Sequence, residues 1–518
     1  MLKARYHSRS KATCMVSPAI MTIVLILLGL SISTQASEHR YGGTLTFGVE
    51  AEFAGFEVIK SSSRLAINGA TAANAIMEPL FKMDKDGNLV PVLGLSAKLS
   101  EDGTTWSIKL RKGVKFHDGT LFNADAVVSH WQRMFDPQNK YRGRAALAAI
   151  KSVEKAGEYS VRFQLKHPWL PFKSVMTSTR ALTNLIPSPK AVESGIQNRA
   201  PVGTGPFMFK EWSAGDSFVV DKNPDYWKKD IPYLDTIVFK PMPDSQTRYA
   251  SLKSGQLDLI WSDRGNIINK AMKDAALQVY KSDDNGAEIF ILNTTKPPLD
   301  DIKVRQALAY ANNQARQVNM VYKDSIPIVH HPFGVDFQCA DDGYRDYEPE
   351  KAKQLLSNYN NPLELECLHS NSPRGREIGE ITQQLMKDVG VRANPVGLNF
   401  GPVIKKVISG QYQVSTWRMS SRPDQGPALF RAFYSKSRGN FSHYKNPEMD
   451  KLLMAQRLET NPAKRQQLLC QIAHLINKDV PILYRGGMRS HVIARKTING
   501  ITDFSHGIIR FEKVWKEN

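Results

Sequence analysis

The chain has 518 residues, of which 42% are hydrophobic and 23% charged, and its formal net charge is +19 at pH 7. This composition excludes an intrinsically disordered chain, a collagen and a coiled coil. The length exceeds the usual size of a single hydrophobic core, so we expect two or more lobes.

The N-terminus carries a predicted signal peptide. Four basic and no acidic side chains lie within residues 3–11, and an apolar run covers about 19–30. Thr34-Gln35-Ala36 follows it, with small residues at the −3 and −1 positions relative to the predicted cleavage site. This order is typical of a secretory signal, so we expect cleavage after Ala36 and a periplasmic protein. The alternative is an uncleaved anchor helix, but the apolar run is shorter than the roughly 20 residues that span a bilayer.

The charge of the mature chain limits the classes of ligand that we expect it to bind. Loss of residues 1–36 removes four of the 69 basic residues and leaves 65 against 50 acidic ones, a net charge of +15. Export and the lack of basic runs with interleaved aromatic residues argue against nucleic acid. A basic soluble protein and a protein with an anionic ligand both stay open.

Predicted strands dominate the first half of the chain. Residues 44–49, 106–110, 159–165, 236–240 and 287–293 alternate apolar and polar residues or form short apolar runs. Asn123 stands where an N-cap belongs, because apolar residues recur at helical spacing behind it.

Longer predicted helices follow residue 340. One begins at Pro349, another ends at Gly390, and Asn446-Pro447 and Asn461-Pro462 each place an N-cap before a proline in the first turn. Strands that alternate with helices predict the α/β class.

Three sequence blocks carry a family resemblance. They are WSIKLRKGVKFHDGTLFNADAVVSHWQRMFDP (106–137), APVGTGPF (200–207) and LNTTKPPLDDIKVRQALAYA (292–311). In wording they resemble the extracytoplasmic binding proteins of ABC importers for dipeptides, oligopeptides and nickel, family 5. The resemblance runs from about Gly42 to the C-terminus.

The resemblance implies an architecture: a two-lobed periplasmic binding protein fold, type II, of the enlarged peptide-binding class. Residues 37–290 and the return segment 483–518 would form lobe I, with an extra subdomain at about 80–200, and residues 291–482 would form lobe II. Two hinge strands, near 288–293 and 482–489, would connect the lobes beside an interlobe ligand cleft.

The resemblance also implies a function. The protein would capture a small solute and deliver it to an inner-membrane ABC permease with its ATPase subunits, acting as a monomer that breaks no bond. The alternatives are an ordinary dipeptide, oligopeptide or haem carrier and, from another class, a secreted hydrolase.

Motifs for catalysis and for cofactors are missing from the sequence. It contains no G-x-S-x-G elbow, no H-E-x-x-H helix and no phosphate-binding loop of the G-x-x-x-x-G-K-[ST] type. Gly203 and Gly205 precede Pro206 and Phe207 instead of a helix, which favours a tight structural turn. We therefore expect no enzyme and no cofactor, and no metal at the adjacent His330 and His331.

The predicted ligand contacts centre on the loop Ser415–Phe430. Trp417 and Pro423-Asp424 match the family pattern, but residues 418–422 contain no acid to pair with a peptide ammonium. A buried ammonium would lack its counter-charge, whereas an arginine suits a carboxylate or phosphate. We therefore predict an anionic or N-blocked, opine-like solute with Arg422 as anchor and Trp417 as a stacking wall. A salt bridge made by Arg422 is the alternative.

Further candidates surround this loop or lie elsewhere in the chain. The additional predicted ligand-binding residues are Ser420, Asp424, Arg374, Phe53, Glu50 and Arg180. Asp424 could instead cap its turn, and Arg374 could be a solvated residue at a helix start. Of the three cysteines left after cleavage, Cys339 and Cys367 are the expected disulfide.

Overall fold

The computed structural model describes residues 41–60, 67–84, 88–141, 144–178, 182–335, 337–359, 362–419 and 424–517. The strands of this part of the chain are β1 (Thr44–Val49), β2 (Phe81–Met83), β3 (Leu89–Pro91), β4 (Gly94–Leu99), β5 (Thr105–Leu110), β6 (Ile150–Gly157), β7 (Ser160–Leu165), β8 (Phe207–Ser213), β9 (Ser217–Lys222), β10 (Thr236–Pro241), β11 (Leu259–Ser262), β12 (Leu277–Leu292), β13 (Leu363–Ser370), β14 (Val391–Leu398), β15 (Val414–Arg418), β16 (Ile482–Arg495), β17 (Ile498–Asn499), β18 (Phe504–Ser505), β19 (Ile508–Ile509) and β20 (Trp515–Lys516).

The α-helices of the described ranges alternate with these strands. They are α1 (Ile67–Ile76), α2 (Ala124–Phe135), α3 (Phe172–Thr177), α4 (Pro189–Glu193), α5 (Ser245–Ser254), α6 (Gly265–Met272), α7 (Ile302–Ala311), α8 (Gln314–Tyr322), α9 (Pro349–Leu356), α10 (Pro373–Lys387), α11 (Phe400–Ile408), α12 (Gly426–Phe433), α13 (Pro447–Leu458) and α14 (Pro462–Asp479). The predicted α/β class is confirmed.

A ten-stranded mixed sheet organises the molecule, in the order β14-β13-β15-β12-β16-β11-β1-β10-β9-β8. Its two longest strands, β12 and β16, lie side by side and antiparallel in the middle. A separate four-stranded sheet has the order β4-β5-β7-β6 and contains the predicted strand at Trp106. None of the helices among the described residues is long and apolar enough to span a membrane.

Buried side chains form two large regions. One cluster joins residues 45–261 to residues 492–514 of the C-terminal segment, and it is rich in stacked and tilted phenylalanines. Two neighbouring clusters collect residues between 287 and 484. The middle strands β12 and β16 contribute side chains to both regions, so they position the residues that lie between the two regions.

Local signals explain where the helices begin. The Asn123 side chain accepts hydrogen bonds from Asp125 N (2.9 Å) and Ala126 N (3.2 Å), as its predicted N-cap role requires. Asn446 and Asn461 cap α13 and α14 in the same way, each followed by proline at the first position.

The glycine-rich block at residues 200–207 is a packed turn. The Gly205 amide donates to Ile76 O (2.8 Å), and a Cβ at Gly205 would lie only 2.6 Å from Ala75 O. The glycines therefore allow this turn to pack against the backbone at the end of α1.

The disulfide joins Cys339 to Cys470, so the expected Cys339–Cys367 pairing is wrong. Cys367 lies on β13, between β14 and β15, and its side chain is buried in a hydrophobic cluster. Cys470 lies on α14 with its Cα 5.5 Å from that of Cys339, within the range that a disulfide requires.

Candidate ligand cavity

A cavity of about 1460 Å³ lies beside the middle strands of the large sheet. Its lining comes from the ends of β1 and β11, from β12, β15 and β16, and from helices α5, α10, α11, α12 and α13. Cavities that hold small molecules measure about 300–1,000 Å³, so this one is large enough for an extended solute.

Glu288 on β12 is the centre of a buried charge network. Its Oε2 accepts from Arg485 Nη2 (2.7 Å), and its Oε1 lies 3.1 Å from Arg418 Nε and 3.7 Å from Arg374 Nη2. Burial raises the pKa of this carboxyl, but the three arginines outweigh burial and hold it below its usual range. One carboxylate therefore orders three guanidinium groups at the cavity surface.

Arg374 connects this network to a second carboxylate. It stands at the start of α10 and is hydrogen-bonded to Asp263, which follows β11. Burial lowers the pKa of Arg374, but the charge of Asp263, with Tyr322 and Glu288, raises it well above its ordinary value. The alternative interpretation of Arg374 as a solvated residue at a helix start is therefore wrong, because the side chain is only 15% exposed and is ion-paired.

Glu50 lies at the end of β1 and also lines the cavity. Burial, together with the nearby charge of Asp263, raises the pKa of Glu50 despite the neighbouring Arg248, Arg418 and Arg374. The Arg248 guanidinium donates to Pro243 O (3.0 Å), which holds it along the wall. This end of the cavity is charged, but its charges largely compensate one another.

Aromatic side chains from β15, from α12 and from the segment behind α12 line another part of the cavity. Phe430 and Tyr434 stack with centroids 4.5 Å apart, and the Arg457 guanidinium lies 4.3 Å above the Phe430 ring. Trp417 makes a T-shaped contact with Phe441 at 5.5 Å. These rings offer flat apolar surfaces to a bound solute.

The described cavity lining carries an excess of positive charge. Nine basic and four acidic side chains line it: Arg248, Arg264, Arg374, Arg418, Arg431, Lys436, Arg438, Arg457 and Arg485 against Glu50, Asp244, Asp263 and Glu288. In addition, Arg485 Nη1 is buried with no hydrogen-bond partner in the described ranges. A concave surface of one charge sign favours a ligand of the other.

The structure brings three of the predicted ligand-binding residues to this cavity, namely Trp417, Arg374 and Glu50. Phe53 lies elsewhere, 5% exposed in the aromatic core, with its ring 5.1 Å from that of Phe218. Asp424 is ion-paired with Arg465 (2.9 Å) and accepts from Gly426 N (2.8 Å), which is the capping alternative. Arg422, Ser420 and Arg180 lie outside the described residues.

Two central residues of the network escaped the sequence analysis. Glu288 and Arg485 are lone charges within apolar strand segments, AEIFILN and PILYRGG. A charge is rarely fully buried unless it is paired, so an isolated one in a buried strand is a signal for a partner. The partner itself could not be read, because 197 positions separate the two residues.

The two adjacent histidines lie apart from the charge network. His330 stacks on Tyr344 at 4.0 Å, and His331 packs beside Phe333 at 5.3 Å. Within the described ranges, no three His, Cys, Asp or Glu side chains are grouped as they would be to hold a metal ion. Both histidines pack against aromatic rings.

Two known proteins match this chain over most of its length, at 27% and 28% identity. The glutathione-binding protein GsiB of Pectobacterium atrosepticum is 27% identical over 521 residues, covering 95% of this chain and 99% of that protein. The heme-binding protein A of Haemophilus influenzae is 28% identical over 431 residues, covering 76% of this chain and 78% of that protein.

A solved structure shows the same architecture. The ABC transporter-associated periplasmic binding protein DppA from Helicobacter pylori, in complex with the peptide STSA, has a TM-score of 0.80 at 24% identity, covering 92% of this chain and 99% of that one. The fold is therefore that of the type II periplasmic binding proteins.

The family itself follows from a sequence model. The model for bacterial extracellular solute-binding proteins, family 5 (middle), matches residues 88–441, which include the glycine-rich turn and most of the cavity lining. The expected family is confirmed, and its members are binding proteins that work with ABC permeases. The chain belongs to the bacterial extracellular solute-binding proteins of family 5.

Proposed function

We propose that this chain is the periplasmic binding component of an ABC importer and that its solute is an anionic, peptide-like or opine-like amino-acid conjugate. The excess of nine basic over four acidic side chains in the cavity lining carries this proposal. Charge-assisted contacts from arginine forks suit carboxylates and phosphates, whereas a solute whose only charge is an ammonium would meet mainly cations.

One relative supports this solute class, because it is named for glutathione, a γ-linked tripeptide whose two carboxylates and one ammonium make it a net anion. The relative named for heme supports the alternative of a haem carrier. Ordinary dipeptides or oligopeptides are the second candidate, because the solved relative from Helicobacter pylori holds a tetrapeptide.

The proposal includes binding without catalysis. Residues 37–290 with 483–518 would form one lobe and residues 291–482 the other, and β12 and β16 would be the connections that bend when the lobes close. A solute that touches both lobes stabilises the closed form, because it interacts more strongly with that form than with the open one. The closed protein would be monomeric when it docks on the permease.

Secretion is a further part of the proposal. We expect export through the N-terminal signal and removal of residues 1–36. N-terminal sequencing of the protein recovered from the periplasm would then begin at Ser37. A protein that keeps Met1 and stays with the membrane fraction contradicts cleavage.

The natural solute can be identified directly. The protein would be purified from the periplasm without denaturation, then unfolded, and the released small molecules analysed by mass spectrometry. We expect one or a few acidic compounds of low mass. A mixture of peptides with free amino termini would instead support the second candidate, and turnover products of an added substrate would support a hydrolase.

The role of the arginines is tested by calorimetry with glutathione as an anionic probe. Arg418→Gln and Arg422→Gln should each weaken binding by about 1.5–3 kcal/mol if each arginine donates a charge-assisted hydrogen bond to the solute. Lys451→Gln is the matched control, because Lys451 is exposed on α13 and does not line the cavity. Equal losses in all three variants would contradict a specific contact.

A further inference from the structure

One wall of the cavity carries cations without carboxylate partners. We name it the cation wall and define it by Phe430, Arg431, Tyr434, Lys436, Arg438 and Arg457, on α12, α13 and the segment between them. In the described ranges none of its four cations lies within 4.0 Å of a carboxylate oxygen. The Asp450 carboxylate instead accepts from the Ser435 amide at 2.8 Å.

The wall combines its charges with aromatic surface. Phe430 and Tyr434 are four residues apart and stack nearly parallel, at an interplanar angle of 17°. The Arg457 guanidinium lies over the Phe430 ring, and burial lowers its pKa by more than the nearby Tyr434 raises it. A partly desolvated cation without a counter-ion gains from a bound anion more than a solvated cation does.

A solvated basic face is the alternative, since Arg431, Lys436 and Arg438 are exposed. The contrast with the rest of the cavity argues against it. Among the other lining cations, Arg264, Arg374, Arg418 and Arg485 have carboxylate partners. Arg248 donates to a backbone carbonyl, and the nearby charges of Glu50, Asp263 and Asp244 oppose the lowering of its pKa by burial. The cation wall therefore holds most of the uncompensated positive charge, and its neighbouring cations add their potentials.

We propose that the cation wall is a second anion subsite, which binds a carboxylate, sulfonate or phosphate attached to a planar ring or conjugated group. The planar part lies against the face of Tyr434 that points away from Phe430, and the anion is held by the surrounding basic side chains. The solute is then an elongated polyanion with one charged end at Glu288 and its arginines and the other at this wall. This inference rests on the proposed function.

The probe for this subsite is pyrene-1,3,6,8-tetrasulfonate, a planar fluorescent anion whose charge does not change with pH. Its affinity would be measured by fluorescence titration with the full mature chain and with the double variant Arg431→Gln/Arg438→Gln. Both side chains are exposed, so we expect the variant to fold. Affinity should fall about tenfold or more, because two charged contacts are lost.

A matched double variant controls for net charge. Lys445→Gln/Lys451→Gln also removes two exposed positive charges from this region, but neither residue lines the cavity. It should leave the affinity within about twofold of wild type, because distant exposed charges are screened. Equal losses in both double variants would overturn the subsite.

Glutathione, a smaller anion without a ring, separates this inference from the proposed function. We expect the Arg431→Gln/Arg438→Gln protein to keep its glutathione affinity while it loses affinity for the tetrasulfonate. A wild-type protein that binds glutathione and not the tetrasulfonate contradicts the cation wall alone. A wild-type protein that binds neither anion contradicts both.

Discussion

His130 shows what a single buried titratable group does to this protein. It is 2% exposed on α2, and its Nε2 is paired with Thr183 O at 3.0 Å. Burial lowers the pKa of its imidazole to about 4, from an ordinary value of 6.5. The folded protein therefore holds this ring neutral at a pH where the unfolded chain would already protonate it.

The pH dependence of unfolding follows from this difference. As pH falls from 6.5 to about 4, the unfolded state binds the proton first, so stability is lost over this window, by roughly 3 kcal/mol for this residue. His130→Gln keeps a donor for Thr183 O and removes the titration. Its unfolding free energy should fall less between pH 7 and pH 4 than that of wild type.

The measurement is guanidinium unfolding of both proteins at several pH values. The remaining pH dependence should come partly from His117 and His491, because burial lowers the pKa of each imidazole to about 4 as well. Identical slopes for wild type and His130→Gln would show that His130 is not held neutral.

Single residues of the cavity were predictable to different degrees. Trp417 could be found because it matches a tryptophan of the family pattern, and Glu50 because it follows a predicted strand at a place where the family lines its cleft. Asp424 stood in the same loop, but its partner Arg465 lies 41 positions away and could not be read from the sequence. Ion pairs of this kind depend on the tertiary fold, which local patterns do not encode.

At the scale of elements, the disulfide ties α14 to the segment before α9. Cys339 and Cys470 are 131 positions apart, so their bond removes considerable freedom from the unfolded chain. Gln466, one turn from Cys470, donates to Gln338 O at 3.1 Å and continues the same contact.

Loss of this cross-link should lower stability. We expect Cys470→Ser to reduce the free energy of unfolding by about 2–5 kcal/mol, because the loop it closes is long. The measurement is denaturant unfolding with and without dithiothreitol. The reductant should destabilise wild type and leave Cys470→Ser unchanged.

Cys367→Ala provides the control for this experiment. Cys367 is buried and free, so its replacement leaves the cross-link intact, and the variant should stay sensitive to dithiothreitol. If Cys367→Ala instead abolished the effect of the reductant, the pairing of Cys339 with Cys470 would be contradicted.

Helices and strands were more predictable than their partners. Helix starts were predicted from Asn123, Asn446 and Asn461, because the side-chain oxygen of an N-cap residue accepts hydrogen bonds from free amides of the first turn. The disulfide was mispredicted because three cysteines allow three pairings, and only the packing of α14 decides among them. Local sequence determines whether a segment forms a helix or a strand, whereas the elements that pack against it depend on the whole fold.

For the molecule as a whole, Arg374 joins parts that are far apart in the chain. Arg374 lies at the start of α10. Its partner Asp263 follows β11, and its partner Glu288 lies on β12. A second ion pair connects the same two elements, since Arg264 Nη1 lies 4.0 Å from Glu377 Oε2. In this pair the arginine follows β11 and the carboxylate lies on α10. If the lobes move as we propose, these pairs hold the molecule closed.

Arg374→Met should therefore open and weaken the protein. Removal of one partner from a buried ion pair costs about 3–5 kcal/mol of unfolding free energy. The loss here should be smaller than that, because Asp263 is 25% exposed and Arg264 still lies 3.9 Å from it. Small-angle scattering of the unliganded variant should give a larger radius of gyration than wild type.

An exposed ion pair supplies the comparison. Arg392 and Glu364 are 2.7 Å apart and both 57% exposed, so Arg392→Gln should cost about 1 kcal/mol or less and leave the scattering curve unchanged. A double variant, Asp263→Asn/Arg374→Met, should recover part of the loss, because it leaves no lone carboxylate at that position. Absence of any recovery would contradict the pairing.

The central position of β12 and β16 has a mechanical consequence. The register between them shifts near Asp284 and again at Glu288, beside Gly486 with a φ of 154°. If the molecule flexes there, the two adjacent strands act as a hinge whose backbones bend together. Such a hinge would permit rotation of the two lobes but little sliding, so the same two cavity surfaces would meet at every closure.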